Sequence, residues 1–169
     1  MRKNYKSIKE QPNHKHNPFI YDNTFKEKEK YLKIDNLENN KGIDMVLAKA
    51  IKEAIHEYVQ IGDGDLTYLL NSNRKTIALF IYICKNLTYN SDKIILDYKY
   101  IPNILRVSTV TFYQCVINLI ELNIIAKSNI DCIFYINPLK ILKGNLTYII
   151  NKEKQNQKNN LIINQLIKP

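Results

Sequence analysis

The chain of 169 residues has no tryptophan, four glycines, three histidines and three cysteines. Each shortage removes a class of function. No Gly-rich stretch is present that would cradle a nucleotide phosphate, so an ATPase is not expected. The cysteines (Cys84, Cys115, Cys132) are odd in number and contain no C-x-x-C pair. Two of them sit among apolar neighbours, which fits buried free thiols in a reducing cytosol. The longest apolar run, IALFIYIC, is far too short to span a bilayer. The N-terminus lacks an apolar signal core, so a cytoplasmic location without membrane contact is expected.

The scarce histidines also speak against metal chemistry. His14 and His16 flank Lys15 in a polar stretch and read as spectators; His56 stands alone. GDGD (Gly62 to Asp65) lacks the later glutamate of a calcium loop and reads as a helix end followed by a cap. No catalytic constellation emerges, so neither an enzyme nor a cofactor is expected.

What the chain does have is positive charge. Its net charge is +9, spread evenly in amount but not in density. Residues 1–40 hold nine basic and six acidic groups, 41–144 hold twelve and nine, and 145–169 hold four and one. The short ends are therefore the most charge-dense, which suits a polyanion such as nucleic acid. Lys, Asn, Ile and Tyr are unusually common, as in coding from an AT-rich genome, so a single Asn or Lys carries little weight.

Patterning divides the chain into three parts. Residues 1–42 read as a basic N-terminal arm, loosely held through residue 18, with a short β-hairpin over 18–36. Residues 43–144 read as the folded domain. Its helical stretches are 43–60, with apolar groups at Val46, Leu47, Ala50, Ile51, Ala54, Ile55 and Tyr58, and NRKTIALFIYICKNL (73–87). Asp65 caps a short helix through Leu70. KIILD (93–97) is a strand. YKYIPNILRV follows as a short helix starting at about Lys99, with Ile101, Ile104 and Leu105 inward and Pro102 in its first turn. Residues 145–169 read as a further strand, LTYII, and a flexible polar tail ending in the apolar LIINQLI.

The stretch RVSTVTFYQCVINLIELNII (106–125) is the most informative. Ser108 is a good N-cap. Phe112, Val116 and Leu119 form an inner row at helical spacing. The other face shows Thr109, Thr111, Tyr113, Gln114 and Asn118, which hydrogen-bond without being ionised. After it, IIAKS and CIFYINP read as two strands around a tight turn at Ser128 to Asp131. The order of helix, strand, short helix, three-residue turn, helix and β-hairpin is that of a winged helix-turn-helix. The expected class is thus α+β, mainly helical, with a β-hairpin wing and flexible polar ends.

That order assigns candidate contacts. Ser108, Thr109, Val110, Thr111, Tyr113, Gln114, Ile117 and Asn118 face the major groove. Gln114 is the best adenine reader, and Val110 and Ile117 either meet thymine methyls or simply flank the core. Lys99, Arg106, Lys127, Ser128 and Asn129 are candidates for phosphate contacts from the turn and wing.

SxxTFxxxVxxLIELNIIAKS followed by FYINPLKILKGN resembles the RepL-type plasmid replication proteins, small winged-helix initiators of bacterial plasmids. The resemblance covers roughly Arg74 to Asn145 and rests on Ser108, Glu121 to Ile125, Asn137, Pro138 and Lys140 to Gly144. Where winged helices often carry glycine before the wing, this chain has Leu122-Asn123; asparagine tolerates positive φ well enough for the turn. The resemblance implies a protein that binds double-stranded origin DNA and recruits host replication proteins. Winged helices often pair on repeated half-sites, so a homodimer through the 43–60 helix is a further expectation. A winged-helix transcriptional regulator would use the same residues. A protein-interaction module on the same scaffold would instead bury the 109–118 face under a partner. A rolling-circle nicking enzyme would need a histidine pair beside its tyrosine, and the chain lacks one.

Overall fold

Helix α1 (Arg74–Asn86) starts where the Asn73 side chain accepts the Thr76 backbone N–H at 2.9 Å, satisfying one orphan donor of the first turn. Its Ile77, Leu79, Phe80, Ile83 and Cys84 are all buried, which makes it the central helix. The structure, a computed structural model, describes residues 7–20, 31–32, 59–62, 69 and 71–166. Among them the architecture is α+β, with four helices and two three-stranded antiparallel sheets. Among the described residues no helix is long and apolar enough to cross a membrane.

After strand β3 (Lys93–Ile95), Asp97 turns the chain by accepting the Lys99 backbone N–H at 2.7 Å. Helix α2 (Ile101–Ile104) follows, with Pro102 in the first turn, where a missing N–H costs nothing. Arg106 then takes φ 52°, a left-handed conformation that swings the chain toward Ser108. Helix α3 (Thr109–Glu121) begins with the Ser108 hydroxyl accepting the Thr111 N–H at 3.1 Å. It lays Phe112, Cys115, Val116, Ile117 and Leu119 into the interior, packed on α1.

The end of α3 is a Schellman turn. Asn123 has φ 54°, its N–H reaches Ile120 O at 2.8 Å, and the Ile124 N–H reaches Leu119 O at 3.0 Å. Asparagine thus performs the turn that the sequence leaves to it in place of glycine. Two later residues lock the same end. The Asn137 amide donates to Asn123 O at 2.9 Å, and Lys140 Nζ donates to Leu122 O at 2.5 Å. A cation on the final carbonyls also meets the negative end of the helix dipole.

Strands β4 (Ile125–Lys127) and β5 (Ile133–Ile136) form the hairpin, and β3 pairs on the far side of β5, giving the order β3-β5-β4. The register sets Ile94 opposite Phe134 and Ala126 opposite Tyr135. The second sheet joins β1 (Tyr31–Leu32), β2 (Val59–Gly62) and β6 (Ile141–Lys143) in that order. Gly144 leaves β6 at φ 126°; a Cβ there would overlap the Asn90 side chain and come within 2.8 Å of its backbone nitrogen. Helix α4 (Leu146–Leu166) follows, its first turn held by Asn145 Oδ1 accepting the Tyr148 N–H at 3.0 Å.

Several sequence expectations are corrected here. Residues Ser7–Ile20 are a strap docked on the body, not a loose arm. Ile8 packs on the main core, and His14 pairs with the free edge of β4 through its N–H to Lys127 O and its carbonyl from the Asn129 N–H, each 2.9 Å. The Tyr135 hydroxyl donates to Lys15 O at 2.8 Å. Pro18–Ile20 is a 3-10 turn and Tyr31–Leu32 pairs with β2; the rest of the expected 18–36 hairpin, 21–30 and 33–36, lies outside the described residues. Val59 and Gln60 belong to a strand where helical spacing predicts a helix; residues 43–58 of that helix, and 65–68 and 70 of the next, lie outside the described residues. Helix α2 starts at Ile101, not Lys99. After a turn over 138–140, Ile141–Lys143 is strand β6, with Gln60 and Leu142 paired across the sheet. LTYII and the polar tail form one helix in place of a strand and a flexible end. Ile20, Leu142 and Ile149 make a second small cluster, so the strap meets β6 and α4 in one apolar contact.

Beneath the strap lies a polar knot. Asn17, fully buried, donates from Nδ2 to Asp92 Oδ2 and to Ile136 O, both at 2.9 Å, and accepts the Phe19 N–H at 3.0 Å. Buried Glu153 of α4 meets His16 Nδ1 at 3.5 Å, an ion pair when the imidazole is protonated. Burial lifts the Asp92 carboxyl above its ordinary range; the Asn17 amide opposes this and the Glu153 charge adds to it. A carboxyl raised in the folded state favours folding below its unfolded pKa, and that contribution is lost as pH rises through the folded value. Asp92→Asn keeps an acceptor for Asn17 and removes the half-buried charge. It is therefore expected to raise the thermal midpoint relative to wild type near neutral pH, with the gain disappearing in mild acid, as a pair of melting curves would show.

Candidate nucleic-acid interface

Helix α3 has one face sealed in the core and one open. The open face carries Ser108, Thr109, Val110 and Gln114, all exposed, with Val110 at 68%. None is ionised, and each offers a hydroxyl, an amide or a methyl. Thr111 is half-buried, and its hydroxyl lies 2.8 Å from that of Ser108, so the pair is partly spent on the cap. Arg106 is exposed in the left-handed turn just before the helix, and Lys99 is exposed ahead of α2.

Three predicted contacts are withdrawn from this surface. Ile117 is 4% exposed and belongs to the core, because its position falls on the sealed face. Asn118 is half-buried and donates from Nδ2 to Thr76 Oγ1 at 3.0 Å, tying α3 to α1. Ser128 is 2% exposed; its hydroxyl accepts the Ile130 N–H at 3.0 Å and so shapes the hairpin turn from within. Asn129 is exposed, with its backbone N–H given to His14, and Lys127 is half-buried beside it.

Tyr113 is a different case. It leans on Tyr98, ring centroids 6.0 Å apart, and on Phe112 at 5.9 Å. Burial and then the neighbouring Tyr98 push its phenol above the ordinary value, so it stays a neutral donor. It lines a cavity of about 240 Å³ together with Lys9, Tyr98, Lys127, Asp131 and Cys132. Burial, then Asp131 and Asp97, raise the Cys132 thiol. Burial alone drives Cys84 up to about 12, which leaves it an inert packing group.

The sequence also misses exposed apolar groups here. Ile104 reads as inward but is 61% exposed, and Tyr100 and Ile130 are exposed as well. Tyr100 and Ile104 sit one α-turn apart, a spacing visible in the sequence once α2 starts at Ile101. Among the described residues no group of three His, Cys, Asp or Glu side chains is arranged to hold a metal ion. Comparison with protein-family models, with curated proteins and with solved structures found no match.

Proposed function

We propose that residues 74–136 form a winged helix-turn-helix that binds double-stranded DNA, and that the protein initiates plasmid replication by recognising an origin and recruiting host replication proteins. The observation that carries the DNA reading is the open face of α3. Thr109, Val110 and Gln114 stand outward on a helix whose other face is fixed in the core, just after a two-helix turn and just before a hairpin. A slim, uncharged, hydrogen-bonding helix face suits base edges in the major groove. The strand order β3-β5-β4 supports a wing built from 125–136, which would brace on the adjacent backbone through Lys127 and Asn129. The origin-binding role is supported by the resemblance of Ser108–Gly144 to RepL-type initiators. The chemistry needs neither cofactor nor metal.

Gln114 is the expected base reader. Gln114→Ala should lose roughly 1–3 kcal/mol of preference for the cognate duplex while leaving binding to unrelated duplex unchanged. Fluorescence anisotropy with duplexes from the protein's own locus, against an unrelated control, measures both. Equal affinity for every duplex in both proteins would end the sequence-reading claim. A promoter fragment preferred over an origin repeat would move the protein to the transcriptional regulators.

One observation favours a second reading. Tyr100 and Ile104, one turn apart at α2, and Val110 in the first turn of α3 are large, apolar and exposed. A protein-interaction module would bury them under a partner chain, and its DNA affinity at physiological salt would be weak.

A further inference from the structure

We propose that the cavity shared by the strap, α3 and the hairpin is a binding site for a small aromatic carboxylate, one ring bearing a single anionic group. The proposal goes beyond the DNA-binding reading and stands without it. Four stretches far apart in the chain meet at the cavity: the strap at Ile8 and Lys9, the segment after β3, α3 at Phe112 and Tyr113, and the hairpin. The strap helps to enclose the space. Ile8 packs on the core, the Ser7–Glu10 turn meets α3, and the capping box between Ser7 and Glu10 fixes the shape of that turn.

Size limits the occupant. An apolar cavity of about 150 Å³ takes up benzene, whereas drug-sized ligands occupy pockets of about 300 Å³ or more. At about 240 Å³ there is room for one ring and a short substituent. The walls favour the ring. Leu96, Phe112 and Phe134 are buried and apolar, and Tyr98 and Tyr113 add two rings with centroids 6.0 Å apart, tilted by 34°. The charges favour the substituent. Lys9 and Lys127 both line the cavity, and among the described residues neither is in an ion pair. The one carboxylate on the lining, Asp131, accepts from the adjacent Cys132 thiol. Asp97, whose charge also reaches Cys132, is off the lining and accepts the Lys99 N–H. Glu10, next to Lys9, accepts the Ser7 N–H at 3.1 Å. Two ammonium groups against one engaged carboxylate leave a positive balance beside apolar walls. A carboxylate carried on a ring answers both, through a charge-assisted hydrogen bond and buried aromatic area.

The test titrates the full-length protein with sodium benzoate and follows isoleucine methyl signals by NMR. Benzyl alcohol keeps the ring without the charge, and sodium acetate keeps the charge without the ring. Benzoate should shift Ile8 and Ile133, both on the lining, in a saturable way and leave Ile149 of the second cluster unmoved. Losing a hydrogen bond to a charged group costs about tenfold or more in affinity, so benzyl alcohol should bind roughly tenfold more weakly than benzoate. Acetate should be weaker still. Lys9→Met/Lys127→Met keeps the stems and removes both charges; it should lower benzoate affinity to the benzyl alcohol level and leave benzyl alcohol binding unchanged. Lys85→Met, an exposed lysine of α1, should bind benzoate as wild type does. The comparison of the three probes on wild type decides the matter even where the double variant folds poorly. No saturable shift with benzoate, shifts that reach Ile149 equally, or benzyl alcohol binding as tightly as benzoate would each overturn the proposal.

Discussion

Phe112→Ala is expected to destabilise the protein by about 3–5 kcal/mol, the cost of removing a fully enclosed ring and leaving the space unfilled. Phe112 is buried at the centre of the main cluster and also backs Tyr113. The loss approaches the whole stability of an ordinary domain, so much of the variant would be unfolded in water. Urea denaturation gives the answer through the midpoint at constant slope. Phe112→Leu should recover more than half of the loss. A cost below about 1 kcal/mol for the alanine variant would mean that α3 is not held by its inner row, and the fixed outward geometry of Gln114 would go with it.

Asn17→Ala should cost about 2–4 kcal/mol even though it removes only a small polar group. The substitution strands the Phe19 N–H and Ile136 O and deprives the half-buried Asp92 carboxylate of its amide donor. Each buried polar group left without a partner carries a penalty of roughly 1–3 kcal/mol. The strap should then peel from β4, so hydrogen exchange at the His14 and Asn129 amides, protected in wild type by the paired edge, should accelerate. Wild-type exchange at both amides in Asn17→Ala would show that the strap stays docked without Asn17.

Local signals decide how much of the fold the sequence reveals. Ser108, the inner row of α3 and the β-branched runs of β3, β4 and β5 each announce themselves within a few residues, and the structure has them where the pattern puts them. The elements that differ depend on distant partners. Val59–Gly62 is a strand because β6 and β1 lie on either side of it, and its neighbours in sequence follow helical spacing. LTYII is β-branched and aromatic enough to read as a strand, yet the Asn145 cap and the Asn, Lys and Gln that follow carry it into α4. The Asn145 cap is the signal that distinguishes the two. Nothing in QPNHKHN announces a buried residue; Asn17 is inside because Asp92 and Ile136 need its amide.

The site follows the same logic. Thr109, Val110 and Gln114 stand outward as their helical phase requires. Ile117, Asn118 and Ser128 do not, because α1 and the hairpin turn claim them. Phase within one helix is visible in sequence. Which polar group a neighbouring element will recruit is not.

The strap also imposes an order of events on the ribosome. Its fastening points on Asp92, Tyr135 and Ile136 are made between 75 and 120 residues after it. At roughly 5–20 residues per second, the first segment of the nascent chain waits several seconds or more before its partners emerge. Until the strap then docks, β4, once paired with β5, presents a bare outer edge, the kind of surface that invites pairing with another chain. The strap's polar, proline-bearing composition is well matched to the wait, since it has little tendency to collapse on its own. The strap thus emerges ahead of its partners and docks only after them.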